Sequence, residues 1–259
     1  MAWTATLLAK SVPKLKDAVF IEGLPGIGNV GKVAIDFIIE HTKAEKLYEL
    51  FSYSLPHSVF INESNLIEMP SITIYYKKGK KKDLLLLAGD AQPIDEVSSY
   101  EFCEKTLDVA GSFGCREVVT LGGIGLPSIP KKPRVYCTGN SKDVVESYVK
   151  GSQMETKLYG TVGPIVGVSG LLLGIAKRRN VPAVSLLAET YGHPMYLGVK
   201  GAREIVKVLN KRLELGLNTA ELDREIDQME SEMGRRPKAG EQLPRGKGAP
   251  SGGETSYIG

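Results

Sequence analysis

Cysteine and histidine are scarce in this 259-residue chain, three of each, and that scarcity excludes several chemistries at once. Cys103, Cys115 and Cys137 form no CxxC pair, so the sequence encodes neither a disulfide framework nor a zinc ribbon, and reduced core or surface thiols are expected. His41, His57 and His193 stand far apart, with no HxH or HExxH spacing, and read as ordinary surface or loop residues. No metal and no cofactor is implied. Long apolar runs are missing too. The longest, residues 83–88 and 181–188, fall far short of the roughly 20 residues that span a bilayer, so no membrane segment is expected. Residues 1–16 lack an apolar h-region and a small-residue cleavage site, which predicts a cytoplasmic protein.

Net charge is also low, +3 in all. Residues 234–259 carry Arg235, Arg236, Lys238, Arg245 and Lys247 against Glu241 and Glu254, which accounts for the whole excess and leaves 28 residues of each sign in 1–233. A neutral body lacks the basic footprint that phosphate-driven binding needs, and no nucleic-acid partner is expected. One basic cluster remains: Lys77, Lys78, Lys80, Lys81 and Lys82 surround Gly79 between two strand-like runs and predict a solvated hairpin turn.

What the chain does have is alternation. Strand-like runs at 17–22, 46–53, 57–62, 71–76, 83–88, 117–121, 134–138 and 183–187 are interleaved with helical spacing at 30–41, 96–113, 142–150, 169–179 and 199–215. That order predicts a three-layer α/β/α sandwich with a mixed, mostly parallel central sheet over residues 1–216. Residues 217–233 predict an acidic amphipathic helix, opened by Asn218 or Thr219, whose apolar stripe is Leu222, Ile226, Met229 and Met233. The stripe reads as an oligomerisation surface or a packed lid. Residues 234–259 contain seven glycines and three prolines and predict a flexible tail.

Several motifs promise more chemistry than they carry. Gly26, Gly28 and Gly31 match GxGxxG at a strand-to-helix junction, but the next strand run ends in Tyr53, Ser54 and Leu55, without the acidic residue that holds a ribose. The same stretch is one residue short of a P-loop, because Val33 stands where a magnesium-binding hydroxyl is needed. Amides around Gly26, Gly28, Asn29 and Gly31 are the candidate anion site. Ser169, in Gly-Val-Ser-Gly-Leu, resembles a nucleophile elbow but is better read as a helix N-cap. An active site, if there is one, belongs at strand ends near Asp90, Asp95, Glu189 and His193.

Glu22-Gly-Leu-Pro-Gly-Ile-Gly-Asn-Val-Gly31, Gly89-Asp-Ala-Gln-Pro93 and Leu121-Gly-Gly-Ile124 together resemble the PAC2 family, named for the proteasome assembly chaperones. The similarity continues through 163–174 and 188–193 and spans nearly all of 4–215. It implies a phosphorylase/hydrolase-like α/β/α fold, homo-oligomeric assembly and a binding module without catalytic residues. It also implies 20S proteasome α subunits as partner, engaged through a C-terminal hydrophobic-Tyr-X motif. Here the corresponding residues are Tyr257, Ile258 and Gly259, with Ser256 in the hydrophobic place and the tyrosine third from the end. The expectation is therefore an assembly-chaperone-like protein. The other readings are a hydrolase or ligase using the glycine crevice, and a scaffold for another protein.

Overall fold

The computed structural model describes residues 3–160 and 162–218, together with 220, 221, 223, 224, 226 and 228. Eight strands form one sheet: β1 (Thr4–Leu7), β2 (Val19–Gly23), β3 (Glu45–Phe51), β6 (Ile72–Lys77), β7 (Leu84–Gly89), β8 (Glu117–Leu126), β9 (Val135–Gly139) and β10 (Ala183–Tyr191). Their order is β1-β3-β6-β7-β2-β8-β10-β9. The four central strands β7, β2, β8 and β10 run parallel, and antiparallel neighbours flank them on both sides. A separate two-stranded hairpin pairs β4 (Phe60–Ile61) with β5 (Ile67–Glu68).

Strand alternation divides the core. Val19 and Ile21 of β2, with Leu84 and Leu86 of β7, face α1 (Val30–Thr42) and α5 (Val199–Leu213), with α3 (Lys142–Val149) at the edge of the same layer. Phe20, Leu85 and Leu87 face the opposite layer, α2 (Glu96–Ser112) and α4 (Val168–Arg178). The central strands are covered on both faces and are accordingly apolar throughout; all six residues of β7 are buried. The result is the expected three-layer sandwich. Trp3 fastens the start of the chain to α2 by an indole N–H donated to the Ser98 carbonyl at 3.1 Å and by a ring contact with Phe102. Arg179 ties α4 to α2 through Glu104 and Asp108.

The lysine cluster forms the turn between β6 and β7, as its spacing predicts. Asp83 closes it by accepting the Gly79 amide at 3.0 Å, and Lys82 reaches Glu117 at 2.5 Å. Two strands run longer than the sequence suggests. β8 continues through Gly122, Gly123 and Gly125 to Leu126, and β10 continues beside it to Tyr191. Glycine is what permits this pairing so close to the next layer: a Cβ on Gly123 would sit 2.2 Å from the Ile27 carbonyl oxygen. The run at 57–62 shortens to two paired residues, and β1 had no apolar signal because it is a mostly exposed edge strand.

Among the described residues no helix is long and apolar enough to cross a membrane, and no group of His, Cys, Asp and Glu is placed to hold a metal ion. The three cysteines are free; burial pushes Cys115 up to about 12 and Cys137 up to about 11, which disfavours the thiolate form at both. Ile226 is buried and packs in the same cluster as Val206 and Leu209 of α5. At that position the stripe lies on the chain's own core, the packed lid rather than an open oligomerisation face. Leu222, Met229, Met233 and the tail with Tyr257, Ile258 and Gly259 lie outside the described residues.

Candidate functional site

The segments singled out in the sequence converge on one rim, the carboxyl ends of the parallel strands. β2 ends at Gly23 and turns through Gly26 to Asn29 into α1, β7 ends at Gly89, and β8 and β10 end side by side at Leu126 and Tyr191. The chain leaves β2 toward the α1 layer and leaves β7 toward the α2 layer. Adjacent parallel strands whose connections diverge in this way open a crevice between them, the usual ligand position in open α/β sheets.

Close backbone packing accounts for most of the glycine turn. Gly28 has φ +59° and its Cβ would lie 2.6 Å from Thr190 Oγ1; a Cβ on Gly31 would lie 2.4 Å from the Leu121 carbonyl oxygen. The Gly198 amide donates to the Gly28 carbonyl at 2.7 Å, joining the start of α5 to the turn. Asn29 is left-handed at φ +50° and makes no side-chain cap, while its amide donates to the Gly26 carbonyl at 2.9 Å. Gly26 faces open space. The turn is not part of a dinucleotide unit: α1 leads to β3, which β6 and β7 separate from β2, whereas such a unit requires the strand that follows the helix to lie beside the first.

Three carboxylates at the rim, Asp90, Asp95 and Glu189, are committed to holding it together. Asp90 accepts the Ser71 amide and hydroxyl and faces Lys32, which also pairs with Asp36. Asp95 caps α2 by accepting the Ser98 amide at 2.9 Å. Glu189 binds the Arg134 guanidinium and amide and accepts the Tyr136 hydroxyl; burial works to raise its pKa, but the Arg134 contacts outweigh it and hold the carboxyl below its usual value. His193 instead stacks on Tyr191 and accepts the Met195 amide. Glu189 and His193 therefore form no acid-base pair.

Ser169 is not the N-cap. Helix α4 begins one residue earlier, Gly167 holds the cap position at φ +87°, and Gln92 Oε1 accepts the Val168 amide at 3.0 Å while Gln92 Nε2 donates to the Pro25 carbonyl at 2.6 Å. Glu22 is a further side chain at the rim whose chemistry the sequence did not announce. It is fully buried on the α2–α4 face, where Oε1 accepts the Leu24 amide at 2.9 Å and Oε2 has no hydrogen-bond partner. Burial pushes its pKa up to about 7, against the Leu24 amide and the Ser169 hydroxyl, which act to lower it. Thr190 Oγ1 is likewise buried without a partner.

The sequence pattern of the PAC2 family matches residues 20–235. The chain belongs to the PAC2 family. The PAC2 motifs at 22–31, 89–93, 121–124 and 188–193 lie at or beside this rim, where Gly31 meets Leu121 and Gly123 meets Ile27 backbone to backbone. Among solved structures, Pyrococcus furiosus PbaB, described as an archaeal proteasome activator, is 34% identical with a TM-score of 0.81, covering 90% of this chain and 98% of that one. Pyrococcus furiosus PbaA, described as an archaeal homolog of proteasome-assembly chaperone, matches at 24% identity with a TM-score of 0.72, over 89% of this chain and 90% of its own. An uncharacterized protein of Methanocaldococcus jannaschii is 28% identical over 256 residues, 98% of this chain and 97% of that protein.

Proposed function

We propose that this PAC2 protein is a homo-oligomeric, chaperone-like binding module that engages the 20S proteasome. One observation carries the reading: similarity to a proteasome activator at 34% identity across 90% of the chain. Residues 234–259 are the element that reaches the α subunits, with Tyr257, Ile258 and Gly259 as the contact segment. Several tails on one oligomer offset the weakness of each, because linked sites bind at an effective concentration set by the tether.

Binding is favoured over catalysis by the state of Asp90, Asp95 and Glu189, while the fourth rim carboxylate, Glu22, is sealed from solvent. Asp90, Asp95 and Glu189 spend their oxygens on Ser71, Ser98 and Arg134, so the groups best placed for acid-base work are holding structure. The test is a native-gel shift of archaeal 20S particles with the full chain and with a chain ending at Met233. The full chain should shift the particle and the shorter chain should not. An equal shift by both would remove the tail from the mechanism, and no shift by either would overturn the reading.

A further inference from the structure

The hairpin of β4 and β5 carries exposed apolar side chains that no core contact explains. Val59, Phe60, Ile61, Leu66, Ile67 and Met69 are 46 to 73% exposed, and none belongs to a core cluster. Successive strand side chains alternate in direction, so Ile61 and Ile67, which pair directly, lie on one face and Phe60 on the other; the Ile61–Ile67 face, with its apolar neighbours, presents on the order of 300 Å² of apolar surface, the scale at which an exposed patch marks an interaction site.

A two-stranded hairpin alone in water is marginal, yet this one is held in shape. Asn62 Oδ1 accepts the Ser64 and Leu66 amides, Asn62 Nδ2 donates to Glu68 Oε1, and the Asn62 amide donates to the Leu66 carbonyl. Pairing is Phe60 with Glu68 and Ile61 with Ile67. Among the described residues each strand has a single partner, so both outer edges keep unpaired backbone groups. The turn is organised before any partner arrives.

Charge decides which partner fits. Residues 47–76 contain no lysine or arginine, and the hairpin's acids are Glu63 and Glu68, the latter already held by Asn62. A hairpin without cations of its own offers nothing to an acidic partner, and with one uncommitted glutamate it offers little to a basic one. Such a face matches itself, as an isologous contact requires, because apolar side chains and open strand edges are their own complement.

We infer that the β4–β5 hairpin is the surface through which two copies of this chain associate. The inference rests on the homo-oligomer reading above and gives it a location. The experiment is light scattering on the full chain and on the double variant Ile61→Glu with Ile67→Glu, with far-UV circular dichroism to confirm the fold. Wild type is expected at a multiple of the chain mass, with the variant's association weakened at least 100-fold. A second variant, Ile67→Cys, should form a covalent dimer on oxidation, and it decides the matter if the double variant does not fold. Wild type at the mass of one chain overturns the oligomer reading and this surface together. An oligomeric wild type whose mass the double variant keeps, or an Ile67→Cys chain that stays uncrosslinked, overturns this surface alone. A double variant that keeps its mass but no longer shifts the proteasome would assign the hairpin to that partner and also overturn the inference.

Discussion

Gly31 lies against Leu121 so closely that a Cβ on the glycine would be 2.4 Å from the leucine carbonyl oxygen. The contact joins the first turn of α1 to β8, and neither side yields, because one is helix backbone and the other a sheet strand. Gly31→Ala is therefore expected to lower stability by about 3 kcal/mol, the upper range for overpacking a tight site. Gly28→Ala should cost about 2 kcal/mol, from a left-handed φ of +59° and a clash with Thr190. Gly26→Ala, in extended backbone with open space around it, should stay within about 0.5 kcal/mol. Urea unfolding of the three variants measures this order, and equal losses would refute the packing account.

Glu22 sets a pH dependence. Its folded pKa of about 7 lies above the ordinary 4.5, so the folded state holds the proton more tightly than the unfolded one. Stability from this group is complete below about 4.5 and is lost as pH rises through about 7. The difference of about 2.5 pH units corresponds to on the order of 3 kcal/mol. Glu22→Gln keeps the shape and removes the titration. The variant should be more stable than wild type above pH 8 and nearly equal to it at pH 4.5, read from midpoints of chemical unfolding at each pH. A wild-type curve with no fall in this window would show that the carboxyl stays ionised.

These residues show where sequence reading stops. The strand and helix order was legible because apolar alternation and helical spacing are local, and the lysine turn was legible because charge marks its own exposure. Glu22 was read as the last residue of a buried strand; that its carboxyl meets Ser169 of α4, 147 positions away, no local pattern encodes. The roles of Gly123 and Gly198 depend on backbones from distant segments meeting, which no local pattern encodes. The N-cap was assigned to Ser169, two positions too late, because Gly167, at positive φ, begins the helix without a hydroxyl. The 57–62 run was read as an ordinary strand, since its sequence does not show that the side chains have no core to enter.

Ile226 separates two roles for the segment after α5. It is buried beside Val206 and Leu209, so Ile226→Ala should create a cavity and cost about 2–4 kcal/mol in unfolding, as buried isoleucine truncations do. The mass of the oligomer should not change. A variant that loses mass while keeping its unfolding free energy would restore the residue to an interface between copies.

If the hairpin joins copies and the tails reach the proteasome, the two elements fail in different ways. A chain ending at Met233 keeps its hairpin, so its mass should remain a multiple of one chain while binding to 20S particles is abolished. The Ile61→Glu, Ile67→Glu chain keeps its tail but presents it singly, so it should still bind, with affinity reduced about 100-fold or more, the loss expected when linked sites are separated. Surface-immobilised 20S particles and the three proteins at equal chain concentration give the comparison, with dissociation rates as the sensitive readout. Joining two tails of the double variant through an added coiled coil should then recover much of the lost affinity, because tethering rather than hairpin contact is what the wild type contributes. Failure of that rescue would mean that the hairpin touches the proteasome directly.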